Sequence, residues 1–310
     1  MNTATLAAVP TATADAPQLA AGVAVGLAAA SIGALYTVYA RWGIAHGLHA
    51  SDLTALRFGV AGLLMLPLLL RTLQRRREVL LDRWPSWLAV AALAGTPFGL
   101  LMFGALRFAP ASHAAVFPFG AMSVAGLALS AVVLGDAMTR RKAIGIAIVL
   151  GGLVQLSGVD SRSFTLRALA GDAMFVAAGT LWAGFGVLLR RHRLDPLLAT
   201  AVTSVSALVT YVPAYLLWEG TSRLAAASAA VLWTEVLVQG AIAGAGTLFT
   251  YATMVRLLGP ARAAVFPALA PGLAALMAWP VLGHLPSPAE ALGLAIVMSG
   301  LLLAVTRGKP

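Results

Sequence analysis

The sequence predicts an all-α integral membrane protein of ten transmembrane helices, arranged as two inverted repeats of five helices. Three observations carry this prediction: the composition, the length of the apolar runs, and a pattern that returns 149 residues along the chain. Of the 310 residues, 60% are hydrophobic and only 10% are charged, whereas about 25% are charged in a typical soluble domain. Apolar runs of about 20 residues, enough to cross a bilayer as a helix, follow one another with short breaks.

The apolar runs place ten spans in order along the chain. We predict them at roughly 20–42, 53–71, 87–107, 112–133, 142–158, 169–189, 197–218, 231–255, 262–283 and 288–306. Six of the seven tryptophans fall near the ends of these spans, as in the aromatic belt of a membrane interface. The breaks are too brief to hold a soluble domain.

The two halves and the tails divide the chain. The first 18 residues contain no cation, so they cannot form the basic start of a signal peptide. We therefore predict a disordered tail at 1–18, a first five-helix repeat at 19–158, a linker at 159–168, a second repeat at 169–306 and a C-terminal tail at 307–310.

The distribution of cations predicts the orientation. If both termini are cytoplasmic, 15 of the 21 lysines and arginines lie in cytoplasmic loops or tails, as the positive-inside rule requires. The other six are Arg41, Arg57, Arg107, Arg162, Arg167 and Arg223. Because the net charge of +10 is spread over short loops, it does not indicate a nucleic-acid partner. The arginine-rich composition suggests a bacterial protein, and hence the inner membrane.

The pentapeptide AAVFP occurs at 114–118 and again at 263–267. At the same offset Arg107 matches Arg256, and after a slip of one residue RKAIGIAIVLGGLV matches AEALGLAIVMSGLLL. Five spans per repeat would turn the second copy upside down. The distribution of charge agrees with such an inversion, because the loop DAMTRRKA has three cations and its counterpart HLPSPAEA has none. Inverted repeats with a site between them are typical of secondary transporters.

Several stretches resemble the EamA domain of the drug/metabolite transporter superfamily. They are LTALRFGVAGLLML in the second span, ALRFAPASHAAVFPFGAMSVAGLALSAVVLGDAMTRRKAIGIAIVLGGLV over the third to fifth, GDAMFVAAGTLWAGFGVLLRR in the sixth, and the segment from MVRLLGPARAAVFP to SGLLLAV. The chain departs from the family pattern at Asp136 and His284, where Gly-Glu is common, and at Ile32, where tryptophan often precedes the glycine.

The resemblance implies alternating access around a central cavity lined by helices 1, 3, 4, 6, 8 and 9. It also implies that helices 5 and 10 pack at the side of the bundle, where they could form a homodimer. Their Gly/Ala-rich faces are compatible with such packing.

Two prolines and one arginine are candidates for shaping or gating a site. Pro118 and Pro267 each remove a backbone hydrogen bond from an apolar helix, and would free the carbonyls of Ala114 and Ala263. Interrupted segments at matching positions of two halves point to a binding site, although both prolines could simply bend their helices. Arg57 lies inside the second span, where it either snorkels to the interface or serves folding and gating.

The candidate cavity residues are mostly aromatic. His113, at the start of the fourth span, could carry a proton or simply face water. Gln239 is a lone amide in a helix expected to face the cavity. The aromatic candidates, which could stack on a solute or only pack between helices, are Tyr36, Phe103, Phe117, Trp182, Tyr251 and Phe266.

The acidic residues all fall near predicted span ends, so we expect no buried carboxylate and a nearly neutral cavity. The chain has no cysteine, which excludes disulfides and thiolate metal sites. We predict no metal site, no cofactor and no catalytic residue.

These patterns favour a secondary transporter that exports small metabolites, with amino acids or similar neutral amphipathic solutes as the first candidates. Coupling to protons or to a counter-substrate is open. Multidrug efflux is the alternative, and the expected absence of a central carboxylate counts against its proton-coupled form. A non-transporting scaffold or channel, or a membrane-embedded enzyme, belongs to another class. The scattered acidic residues lack the paired motifs of such an enzyme.

Overall fold

A computed structural model describes residues 16–109, 111–158, 164–283 and 287–305, and within these residues it contains helices and turns but no strand. The prediction of an all-α membrane protein is confirmed. Nine of the described helices are long and apolar enough to cross a membrane. The helix Arg140–Ser157 is not among these nine, because the three cations at its start lower its mean hydropathy.

Ten long helical segments follow one another. They are α1 (Ala16–Ala45), α2 (Ala50–Arg75), α3 (Trp84–Ala105), α4 (Ala111–Leu134), α5 (Arg140–Ser157), α6 (Leu166–Arg191), α7 (Pro196–Trp218), α8 (Ala229–Leu258), α9 (260–282) and α10 (Pro288–Val305). Short helices at Arg77–Leu81 and Ser222–Ala226 lie in two of the connections.

Capping residues set several of the helix ends. The side chains of Thr139, Thr165 and Asp195 each accept a hydrogen bond from a backbone amide in the first turn of the helix that follows. Gly158 and Gly283 end α5 and α9 with φ of 62° and 70°, a conformation that glycine adopts without strain. The first helix begins at Ala16, inside the tail predicted at 1–18, and the rest of that tail lies outside the described residues.

Three of the long segments are irregular. In α3, α-helices Trp84–Ala94 and Thr96–Ala105 meet at Gly95, because Pro97 at the start of the second cannot donate a hydrogen bond to the first. The middle of α8, Val236–Ala245, is π-helical. In α9, Phe266–Leu269 forms a 3₁₀ turn between Pro260–Ala263 and Ala270–Leu282.

Glycines bring α5 and α10 into backbone contact within the chain. A Cβ at Gly145 would lie 2.8 Å from the Gly300 carbonyl oxygen, and one at Gly152 would lie 2.7 Å from the Val297 nitrogen. The small-residue faces on which a homodimer was predicted are therefore already packed against each other. A dimer through α5 and α10 would have to use their other faces.

Gly152→Leu is expected to lower thermal stability, because a larger side chain would force α5 away from α10. Overpacking of this kind costs about 1–3 kcal/mol. The adjacent Gly151 is the matched control, since a Cβ there meets nothing within 4 Å. Unfolding of the detergent-solubilised variants measures the difference, and equal melting temperatures for Gly152→Leu and Gly151→Leu would contradict this packing.

Candidate functional site

An open cavity of about 580 Å³ lies between α1, α3, α4 and α9, with contributions from the end of α5 and the start of α10. Its wall is mainly apolar, and the rings of Tyr36, Phe103 and Phe119 belong to it. Tyr36 and Phe103 meet edge to face there, with centroids 6.5 Å apart and planes at 78°. The polar side chains at the wall are Thr37, Arg41, Ser157 and Glu290.

Arg41 and Glu290 bring opposite charges to the same cavity. Glu290 is the charged group that acts electrostatically on Arg41, but the two do not form an ion pair within 4 Å. One Glu290 carboxylate oxygen accepts a hydrogen bond from the Ser287 amide, which fixes the acid at the start of α10. A solute in this cavity would therefore meet an apolar wall with one cation and one anion.

A second cavity, of about 800 Å³, adjoins the first between α2, α3 and α7. Ile44, Phe103 and Leu106 line both. The polar lining of the second includes Ser51, Thr54 and Tyr211. Phe103 and Leu106 thus stand at the boundary between two spaces.

Of the eight residues predicted to line a cavity, Tyr36 and Phe103 do so. Trp182, Tyr251 and Phe266 lie instead in the buried core, and so does Phe185. The Trp182 ring is 4.6 Å from that of Phe98, 5.6 Å from Phe185 and 5.0 Å from Tyr251, measured between centroids. We call the cluster of Trp182, Phe185, Tyr251 and Phe266 the aromatic plug.

The aromatic plug lies away from the open end of the cavity. Along α1 the cavity is lined from Tyr36 onwards, whereas the Phe266 ring packs against Gly26, about 15 Å earlier along the helix axis. The helices that supply most of the plug, α6 and α8, do not line the cavity. This differs from the lining implied by the family resemblance, because α5 and α10 contribute residues to the cavity wall and α6 and α8 do not.

His113 and Asp172 form a buried pair between α4 and α6. His113 Nδ1 lies 2.8 Å from Asp172 Oδ1, and His113 is fully buried. The rings of Phe117 and Phe164 lie 5.4 Å and 4.9 Å from that of His113. Neither His113 nor Phe117 lines the cavity. The histidine does not face water, because α6 covers it.

The expectation of no buried carboxylate is wrong. Asp52, Asp172 and Glu235 are all buried. Asp52 accepts a hydrogen bond of 2.6 Å from the Tyr215 hydroxyl and is paired with Arg223. Its carboxylate, with that of Glu219, raises the pKa of Arg223 above the ordinary value. These acids lie near span ends, but segments distant in the sequence cover them.

A buried polar group joins α1, α2 and α8. Arg57 is 3% exposed, and its guanidinium lies 4.7 Å from the centre of the Tyr36 ring. Its Nη1 has no hydrogen-bond partner among the described residues. Gln239 Nε2 donates a 2.9 Å hydrogen bond to the Tyr36 carbonyl. Arg57 therefore does not snorkel, and Gln239 supports the cavity wall from behind.

The two AAVFP copies differ in structure. Pro118 lies inside the continuous helix α4, and Ala114, four residues earlier, lines the cavity. Pro267 lies in the 3₁₀ turn of α9, and Ala263 is fully buried. Of the two alanines whose carbonyl groups the prolines would free, Ala114 thus lies at the cavity and Ala263 does not.

Sequence reasoning missed Arg41 and Glu290 as wall residues. Both lie near span ends, and the sequence alone gives only their positions beside short loops. A weak signal existed at Glu290, because this acid corresponds to the basic loop DAMTRRKA of the first repeat, whereas Arg41 corresponds to another cation, Arg190. Only the charge at Glu290 thus differs between the repeats.

The chain matches the profile of the EamA-like transporter family over residues 20–158 and 169–306. A solved crystal structure shares the fold, with a TM-score of 0.70 at 20% sequence identity over 92% of this chain and 96% of that one. Among curated proteins, none matches this chain.

Proposed function

Since the chain belongs to the EamA-like transporter family, we propose that it is a secondary transporter that moves small amphipathic metabolites by alternating access. Amino acids are the solutes we favour, and export is the direction. The observation that carries the proposal is an open, mainly apolar cavity between α1, α3, α4 and α9 whose wall holds two opposite charges, with the aromatic plug in the core away from it. A volume of about 580 Å³ is in the usual range for small-molecule sites.

The chemistry of the wall suits a zwitterion. Arg41 would attract the carboxylate of an amino acid and Glu290 its ammonium group, while Tyr36 and Phe103 offer apolar surface to the side chain. A neutral solute would use only the apolar part of this wall. The free amino acid is therefore expected to bind better than its amide or ester.

We also propose ten spans in inverted repeats, with both termini in the cytoplasm of a bacterial cell. Two hydrogen bonds support this arrangement. Arg83, before α3, donates to the His192 carbonyl after α6, so these two connections lie at the same end of the bundle. Arg167, at the start of α6, donates to the Arg107 carbonyl after α3, so these two lie together as well. The three cations at the start of α5 would then face the cytoplasm, and the cavity would open outward.

Efflux of toxic amphipathic compounds is the second candidate. The sequence argued against its proton-coupled form because no buried carboxylate was expected, and the burial of Asp172 and Glu235 removes that objection. A planar cationic dye would meet Tyr36 and Phe103 in the same cavity.

Counterflow in proteoliposomes tests the proposal. Vesicles preloaded with one unlabelled amino acid at a time receive the labelled form outside, and ethidium is assayed in parallel. We expect several amino acids to show transient accumulation above equilibrium, which a channel or scaffold cannot produce. If no amino acid moves while the dye does, the efflux function is correct; if neither moves, the transporter proposal fails.

Arg41→Gln and Glu290→Gln are each expected to raise the KM for amino acids about tenfold, because each removes one charge-assisted contact worth about 1.5 kcal/mol. Initial rates of counterflow over a range of concentrations measure the effect. Arg140→Gln, an exposed cation that does not line the cavity, is the control. An unchanged KM in both variants would show that the solute does not bind these charges.

A further inference from the structure

Glu235 occupies a closed slot between α1 and α8. It is the last residue of the α-helix Ala229–Glu235, directly before the π-helical stretch, and it is 0% exposed. The slot exists because residue 43 of α1 is glycine. A Cβ at Gly43 would collide with the Glu235 carboxyl group.

The carboxyl group of Glu235 has no hydrogen-bond partner among the described residues. Neither oxygen makes a hydrogen bond of acceptable geometry among the described residues. The polar groups that face it are the Gln239 side chain and the Gly43 backbone amide, and neither is charged. Glu235 thus lacks a partner of the kind that Asp52 has in Arg223 and Asp172 has in His113.

Several other titratable groups on the elements packed around this slot are engaged elsewhere. Tyr39 meets the Trp42 ring, Asp52 is paired with Arg223, and Arg57 lies over the Tyr36 ring. His46 contacts the Trp42 carbonyl, and Arg41 lines the cavity, where Glu290 acts on it electrostatically. None supplies a counter-charge to Glu235. An ionised carboxylate in such a place is strongly disfavoured, and the group instead takes up a proton.

We propose that Glu235 is the proton-binding site of this transporter, and that one proton bound there exchanges for one solute carried through the cavity. This inference rests on the transport function proposed above. Glu235 follows Ser228, the cap of α8, by seven residues, about 10 Å of helix. That end of α8 is the end at which the cavity opens, if the repeats are inverted as proposed. The proton enters from the side on which the solute leaves.

Gln239 connects the proton site to the cavity. It lies one turn after Glu235, in the π-helical stretch, and donates a hydrogen bond to the Tyr36 carbonyl, whose ring lines the cavity. When Glu235 loses its proton, the carboxylate competes for the Gln239 amide group and weakens its bond to Tyr36. A π-helical stretch is a frequent feature of functional sites. Ionisation of Glu235 therefore loosens α1 against α8 beside the cavity.

Infrared spectroscopy of the purified full chain tests the proton site without any solute. We expect a carbonyl stretch from a protonated carboxylic acid at neutral pH, which shifts in D₂O and is missing from Glu235→Gln. Glu78→Gln, an exposed acid in the short helix after α2, should retain the band. A band of equal intensity in Glu235→Gln, or no band in the wild type, would overturn the proposal.

Transport across a pH gradient tests the exchange. In proteoliposomes assayed with labelled leucine and phenylalanine, a gradient of one pH unit should drive about tenfold accumulation on the acidic side for one proton per solute. Glu235→Gln should lose this accumulation, and the readout is the accumulation relative to the variant's own rate of counterflow. Accumulation in Glu235→Gln equal to that of the wild type, or accumulation on the basic side, would refute proton exchange at Glu235. A wild type without counterflow would refute the transport function, whereas the infrared band would still decide whether Glu235 holds a proton.

Discussion

Ala275→Trp is expected to abolish counterflow while leaving the fold intact. Ala275 of α9 lines the cavity and is only partly buried, so an indole at this position extends into the space that a solute would occupy. We expect the rate of counterflow to fall at least tenfold, equivalent to about 1.4 kcal/mol or more. Because the cavity already has room for a side chain, the melting temperature should change little.

Ala173→Trp is the matched control for this experiment. It makes the same change on the exposed face of α6, away from the cavity. It should transport at the wild-type rate. If Ala275→Trp transports normally, or if both variants lose activity equally, the cavity between α1, α3, α4 and α9 is not the route of the solute.

The spans were the most predictable part of the fold. The sequence predicted helices at 197–218 and 288–306, and the structure has Pro196–Trp218 and Pro288–Val305. The agreement is physical, because a segment inside a bilayer must satisfy its own backbone hydrogen bonds and must reach across the hydrocarbon core. Local composition alone decides these limits.

The environment of the polar residues could not be predicted in the same way. Asp52 is buried because Tyr215 and Arg223 reach it from more than 160 positions away in the sequence. Glu235 is buried because Gly43 of α1 leaves space for its carboxyl group. Positions near span ends suggest access to water, and only tertiary packing decides otherwise.

Whether an aromatic side chain points toward the cavity or toward the core also depends on packing. In helices that are apolar on all sides, periodicity does not distinguish the cavity face from the core face. Tyr36 therefore lines the cavity while Trp182 lies in the core, although the sequence made both of them candidates for the cavity wall. The backbone conformation of the two AAVFP copies also depends on packing. One stays α-helical and the other contains a 3₁₀ turn, although the five residues are identical.

Trp182→Ala is expected to destabilise the protein and to uncouple transport. Trp182 is 3% exposed and packs against the rings of Phe98, Phe185 and Tyr251. Removal of such a side chain from a core typically costs about 3–5 kcal/mol. The hole would lie in the aromatic plug, which under the proposed alternating access would separate the open cavity from the opposite membrane face. Solute should then leak down its gradient, while accumulation above equilibrium is lost.

Trp233→Ala makes the same substitution in α8 at a side chain that is 70% exposed, so it should keep both its melting temperature and its counterflow. Thermal unfolding and the ratio of accumulation to passive leak distinguish the two functions that the sequence allowed for Trp182. A residue of the plug alters stability and leak together, with little change in KM. A residue that contacts the solute raises KM without leak, and that result would place Trp182 in the binding site and contradict its role as a seal.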